Sequence, residues 1–364
     1  MKNSGLLNNR INVLMVGVSS IRIGGMRSVA KQYINDEKYN SKVNLHYIST
    51  STSGSIYKRF LKMLLGYMTI VFTINFFKID ILHIHMAEKG STFRKGLVVK
   101  IGKAFGKKVI IHMHAGPFMT WYNTLCEINK KKVLDIFNAS DCIIVLGEYW
   151  NKQFKTILPE SKLITLYNGV PRVKDVSYSS DNKVISYFGR INRNKGIYEL
   201  LDAVQLQKES LLIGKYKVVL CGTDEEGCLL SQIKSRDIDD IVEFRGWIEG
   251  NEKIEIMRNS VISILPSYFE GLSMTIIEAM SFGIPVITTS ISTMPEVVPD
   301  EVCLVDVGSA KELGNRIVYF LNNKELLEEL SYKGIEKVNK FFTTDRFINN
   351  TLNIYESLIT EKKS

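Results

Sequence analysis

Two carboxylates framed by a glycine and a helix start carry the clearest chemistry. In Glu270-Gly271-Leu272-Ser273-Met274-Thr275-Ile276-Ile277-Glu278, one acid precedes a helix expected from about Ser273, and the other falls on its second turn. Free N–H groups at a helix start, with carboxylates beside them, suit a polyhydroxylated ligand, because an ionised carboxylate accepts hydrogen bonds from hydroxyls. Glu270 alone could be an acid favoured by the helix dipole. Glu278 lies among Ile276, Ile277 and Ala279, where a solvated face is harder to sustain. A second segment, Gly189-Arg190-Ile191-Asn192-Arg193-Asn194-Lys195-Gly196, joins a strand to a helix and gathers cations at one spot. Such a loop suits a phosphate or diphosphate. A solvated basic turn is the plain alternative.

The first half offers weaker signals. Gly24-Gly25 follows the first strand and opens a helix, without a full G-x-G-x-x-G, so a nicotinamide fingerprint is absent. Four of the five histidines end two strands: His83 and His85, then His112 and His114. Alternation puts each pair on one side of its sheet. No Asp, Glu or Cys shares their spacing, so a metal site is not expected. His114, nearest a strand's carboxyl end, suits a contact to substrate hydroxyls or a proton transfer. His83, His85 and His112 read as structural. Asp237-Ile238-Asp239 is formally a D-x-D, but its acidic helix-to-strand connection reads as surface.

These residues need strands and helices to position them. Short Val/Ile-rich runs recur at helix-sized spacing: Ile11–Gly17, Val43–Ile48, Ile79–Ile84, Lys108–Met113, Cys142–Leu146 and Leu163–Leu166, then Val184–Phe188, Lys217–Cys221, Ile241–Phe244, Val261–Leu265, Pro285–Thr288 and Val302–Val305. Amphipathic stretches such as Gly196–Gln207, Asn251–Asn259 and Ser309–Leu321 lie between them. Alternation of this kind means parallel sheets covered on both faces. Two series of about six strands mean two doubly wound, Rossmann-like α/β domains, with ligands at the carboxyl ends of the strands. The polar segment Asn168–Lys183 marks the seam. Expected domains are residues 1–170, residues 171–343, and a last helix from Thr344 to about Glu361 within residues 344–364.

At 364 residues, with 45% hydrophobic and 23% charged residues, the chain is globular, and disorder or fibrous repeats are excluded. Five cysteines without a C-x-x-C pair read as reduced, buried thiols in a cytoplasm. No secretory signal is read in Met1–Arg10 or Ile11–Val18. Residues 1–170 hold 24 Lys and Arg against 9 acids; the remainder hold 23 against 29. A basic half joined to an acidic half implies different partners. The basic half lacks an aromatic-interleaved motif, so nucleic acid is not expected. The apolar run Phe60–Phe77 has 15 charge-free residues, short of the ~20 that a span needs. It reads as a core helix, with an interfacial helix as the alternative.

Taken together, Gly24-Gly25, His114, Asn168-Gly169-Val170, Arg190, Lys195, Glu270, Glu278 and Pro285-Val286 resemble glycosyltransferase family 4 over nearly the whole chain. The segments EGLSM and HIHMAEKGSTFRKG are similar to members that build bacterial surface polysaccharides. The resemblance implies a GT-B fold, two Rossmann-like domains facing across a cleft, and a last helix crossing back to the first. It implies a retaining enzyme with a nucleotide-diphosphate sugar donor, UDP- or GDP-linked, and no other cofactor or metal. By the same resemblance, Arg190 and Lys195 hold the diphosphate, and Glu278 holds the donor ribose. Glu270 contacts the transferred sugar beside the N–H groups of Leu272, Ser273 and Met274. Gly25 lets a loop approach the phosphate or acceptor, and His114 touches the sugar. Ser273 stands where many members have glycine, which bears on sugar identity. The acceptor implied is a glycan or a lipid-diphosphate-linked glycan at the cytoplasmic face of the membrane. The basic half would then meet an anionic surface. A nucleotide-sugar epimerase of the same build and a non-catalytic binder of anionic ligands remain the rival readings.

Overall fold

The computed structural model describes residues 10–17, 25–50, 52, 54–114 and 116–360. The chain divides into two units, Met1–Asn168 with Thr344–Ser364, and Gly169–Thr343. The first unit runs β1 (Ile11–Gly17), α1 (Gly25–Asn35), α2 (Glu37–Lys42), β2 (Val43–Ser49), α3 (Ile56–Phe76), β3 (Ile81–Met86), α4 (Gly90–Ala104), β4 (Lys108–Met113), α5 (Phe118–Asn123), α6 (Glu127–Ala139), β5 (Cys142–Val145), α7 (Glu148–Lys155) and β6 (Leu163–Thr165). The second runs β7 (Val184–Phe188), α8 (Ile197–Leu206), α9 (Lys208–Ile213), β8 (Lys217–Cys221), α10 (Leu229–Ser235), β9 (Val242–Gly246), α11 (Gly250–Arg258), β10 (Ser260–Leu265), α12 (Met274–Ser281), β11 (Val286–Thr289), α13 (Met294–Val297), β12 (Leu304–Val305), α14 (Ala310–Leu321) and α15 (Lys324–Phe341). The last helix, α16 (Thr344–Thr360), belongs to the first unit.

Each unit holds one six-stranded sheet, in the orders β2-β1-β3-β4-β5-β6 and β12-β11-β10-β7-β8-β9. The ladders are parallel. Central strands such as β3 and β10 are buried at every position, which is why Val and Ile fill them without alternation. The expected doubly wound α/β architecture is therefore observed twice. Strand limits move by a residue or two. The third strand starts at Ile81 and reaches Met86, which brings His85 into the ladder. The last shrinks to two residues, because Glu301–Cys303 form a 3-10 turn.

Two expectations are corrected. The apolar run Phe60–Phe77 is no core helix: within α3 only Gly66, Ile70, Thr73 and Ile74 are buried. Nor are all five thiols buried. Cys126 is exposed at the start of α6, and Cys228 is half-buried; none of the five forms a disulfide.

α16 closes the first core. Phe347, Ile348, Leu352 and Tyr355 pack on the cluster of Val13, Met15, Ile81 and Ile110. The Tyr355 hydroxyl lies 3.2 Å from that of Tyr39 and 2.6 Å from His83 Nδ1. Burial pushes the Tyr355 phenol well above its usual range, so it remains a hydroxyl. Tyr355→Phe keeps the ring and strands a buried imidazole nitrogen, at a cost of about 1–3 kcal/mol. Urea unfolding should show the lowered midpoint. An unchanged midpoint would mean that this hydroxyl carries no stability.

Candidate functional site

The second sheet changes direction between two neighbouring strands. From β7 the chain proceeds to β8 and β9 on one side, then returns to β10 and continues to β11 and β12 on the other. Helices α8 and α12 follow β7 and β10. Side-chain caps are lacking at both starts, where Gly196 and Ser273 are the N-cap residues. Their first N–H groups are therefore available to an anion. Ser273 is buried, with its hydroxyl 3.2 Å from that of Thr275 rather than on the helix amides. Leu272 is buried and Met274 half-buried.

The loops after β7 and β10 are tied together. Tyr268 N donates to the Asn194 carbonyl at 2.9 Å. Lys195 Nζ lies 2.6 Å from Glu270 Oε1, and the Ser267 hydroxyl donates to the same oxygen at 2.7 Å. Both charged side chains are largely covered, at 17% and 8% exposure. Gly196 has φ +68°, and a Cβ there would lie 1.9 Å from the Pro266 carbonyl oxygen. The position thus demands glycine twice over, by conformation and by space.

Arg190 points to solvent and reaches Glu225 at 3.4 Å. The same carboxylate takes Asn192 Nδ2 at 2.5 Å, while Asn192 Oδ1 accepts from Lys195 N at 3.1 Å. Glu278, within α12, pairs with Lys253 of α11 at 2.5 Å. Sequence reading missed Glu225, Lys253 and Ser267. Lys253 alone carried a signal: it lies in the first turn of a helix that follows a strand's carboxyl end. Asp237 and Asp239 of the D-x-D are exposed, and Asp237 pairs with Lys208.

In the first unit, the register sets His85 opposite His112. The four histidines form a ladder on one face of the sheet. His83 Nε2 lies 3.1 Å from His112 Nδ1, and His85 Nδ1 lies 2.7 Å from His114 Nε2. Neighbouring rings stack at 4.3–5.3 Å. Nε2 of His85 and of His112 has no hydrogen-bond partner among the described residues. His83, His85 and His112 offer ring nitrogens within 4.8 Å of one another, a grouping that could hold an ion. The buried Lys95 donates Nζ to the His85 carbonyl. Gly25 is the first residue of α1; Gly24 lies outside the described residues.

Residues 173–337 match the family described as glycosyl transferases group 1. The matched segment contains Arg190, Lys195, Glu270 and Glu278. An uncharacterized 41.2 kDa protein in the cps region of Klebsiella pneumoniae is 24% identical over 319 residues, 80% of this chain and 82% of that one. A capsular polysaccharide biosynthesis glycosyltransferase of Staphylococcus aureus is 24% identical over 192 residues, 50% and 48% of the two chains. The fold is that of the Anabaena protein HepE in complex with UDP, with a TM-score of 0.75, 16% identity, and 95% and 100% coverage. The fold class is GT-B, as the sequence resemblance implied.

Burial holds His83 and His114 down to about 3, with Lys95 adding to the effect on His114. It also lowers His85 and His112 well below the usual imidazole range. All four are neutral in the fold at pH 7. Unfolded histidines take up protons near pH 6.5, so stability is full above that value and falls as pH drops toward 3. Each contributes about 1.4 kcal/mol per pH unit once below its unfolded pKa. Urea unfolding from pH 7.5 to 5 should show a steep decline. A flat profile there would contradict the neutral ladder.

Proposed function

We propose that the protein is a retaining glycosyltransferase. It moves a sugar from a UDP- or GDP-sugar to a glycan or lipid-diphosphate-linked glycan in surface-polysaccharide synthesis. The carrying observation is the Lys195–Glu270 pair between two helix starts without side-chain caps, inside the segment that matches the group 1 family. Negative charge develops on the departing diphosphate, so fixed cations and amides there stabilise the transition state. Arg190, Lys195 and the amides near Leu272, Ser273 and Met274 supply them. Glu278 accepts from the donor ribose, and Glu270 from the transferred sugar. His114, a neutral imidazole, meets the sugar, with Gly25 permitting close approach. The acceptor attacks from the face that the diphosphate leaves, without an enzyme nucleophile or a metal.

In this reading residues 171–343 bind the donor and residues 1–170 the acceptor, with residues 344–364 completing the acceptor side. The name of the Staphylococcus aureus relative supports a polysaccharide role, and the UDP complex of the Anabaena protein supports a nucleotide donor. The net positive charge of residues 1–170 favours a peripheral place on the anionic inner face of the cell membrane.

Lys195→Ala and Arg190→Ala should each lower turnover by about 10²–10³-fold. Circular dichroism is needed for Lys195→Ala, which leaves Glu270 unpaired. Glu278→Ala should raise the donor KM more than it lowers kcat, because ribose contacts are alike in ground and transition states. Glu270→Ala should mainly lower kcat. Product should form only when acceptor is present. Near-normal turnover in both cation variants, or sugar conversion with donor alone, would overturn the assignment.

A further inference from the structure

Helix α3 presents an apolar face that, among the described residues, no other element of its unit covers. Its 21 residues include no Asp or Glu, and at most 22% of its apolar stretch is buried. One side is docked. A Cβ on Gly66 would touch Thr50 at 3.1 Å, Ile70, Thr73 and Ile74 are buried, and the Tyr67 hydroxyl donates to the Arg94 carbonyl at 2.9 Å. The free side displays Tyr57, Phe60, Leu64, Met68, Phe72 and Phe76, exposed by 45–87%. Apolar surface gathered this way on a folded protein marks an interaction site. Lys58, Arg59 and Lys62 are exposed in the first two turns of the same helix.

We propose that α3 lies in the plane of an anionic lipid bilayer, with its free apolar face among the acyl chains and Lys58, Arg59 and Lys62 at the headgroup phosphates. The inference rests on the reading of a membrane-bound acceptor and adds how the chain is held there. Charge chooses the occupant. A helix with three cations and no acid complements a phosphate surface and repels a second copy of itself. At about 31 Å the helix is long enough to span a bilayer. However, its buried positions run from Gly66 to Ile74 and are spent on its own unit, so it lies flat. Electrostatic adsorption alone is screened by salt, whereas acyl burial is not.

The test is co-sedimentation of the full chain with vesicles, in low and high salt. One set is phosphatidylcholine alone, and the other includes phosphatidylglycerol. The wild type should bind the anionic set, and a fraction should survive high salt. Met68→Glu with Phe72→Glu should remove the salt-resistant fraction, lowering partition by about tenfold or more. It should retain the wild-type thermal unfolding midpoint. Lys58→Glu with Lys62→Glu should weaken binding at low salt. Complete release of the wild type by salt would overturn insertion and leave peripheral binding standing, as would wild-type binding by the Met68/Phe72 variant. Absence of binding to either vesicle would overturn both. Equal binding to both sets would remove the role of the cations. Concentration-dependent dimers abolished by Met68→Glu with Phe72→Glu, without vesicle binding, would assign the face to a second copy instead.

Discussion

A lysine and a glutamate, both largely withdrawn from water, neutralise each other where the second sheet reverses its strand order. Neither charge would be tolerated there alone, because removing one partner of a covered pair leaves the other uncompensated. The rest of the domain is arranged around this constraint. β7 and β10 lie side by side, so the helices that follow them start together. Asn192 fixes the Lys195 turn, Ser267 fixes Glu270, and glycine at 196 lets the two loops close on each other. A pair held in this way keeps a lysine and a glutamate close together. In the proposed function both partners exchange this contact for groups of a ligand that carries phosphates and hydroxyls.

The first unit solves a different problem. Four imidazoles line one face of the sheet, three of them buried and His114 half-buried, and desolvation keeps them uncharged. Neutral rings can share protons in pairs, and the short contacts within the ladder do so. The Tyr355 hydroxyl, contributed from the far end of the chain, anchors His83 and links the ladder to Tyr39. The last helix therefore completes both the core of this unit and the polar network inside it. His114 is held by a hydrogen bond to His85, and this second pair stacks on the first.

Strand placement was legible because fully buried parallel strands leave continuous Val and Ile runs, bounded by turn residues. Alternation also placed His83 with His85 and His112 with His114. The pairing of His85 with His112 was not legible, since register between strands is settled by packing. The Lys253–Glu278 pair was hidden for a related reason: its members sit on separate helices and meet only once the sheet is formed. The exposed α3 shows a different limit. Composition says that a helix is apolar; it does not say which face finds a partner, and α3 buries only Gly66, Ile70, Thr73 and Ile74. Cys126 likewise follows its place at a helix start and not the burial usual for its type. Roles for Arg190, Lys195, Glu270 and Glu278 came from resemblance, and local geometry adds their partners.

The most direct measurement is a crystal structure of the protein grown with a nucleoside diphosphate, chosen as the one that most raises the thermal midpoint. The diphosphate should lie at the reversal of the second sheet, with Lys195 Nζ and the first amides of α12 on its oxygens and Glu278 on the ribose. A nucleotide bound elsewhere, with the Lys195–Glu270 pair undisturbed and remote from its phosphates, would contradict it.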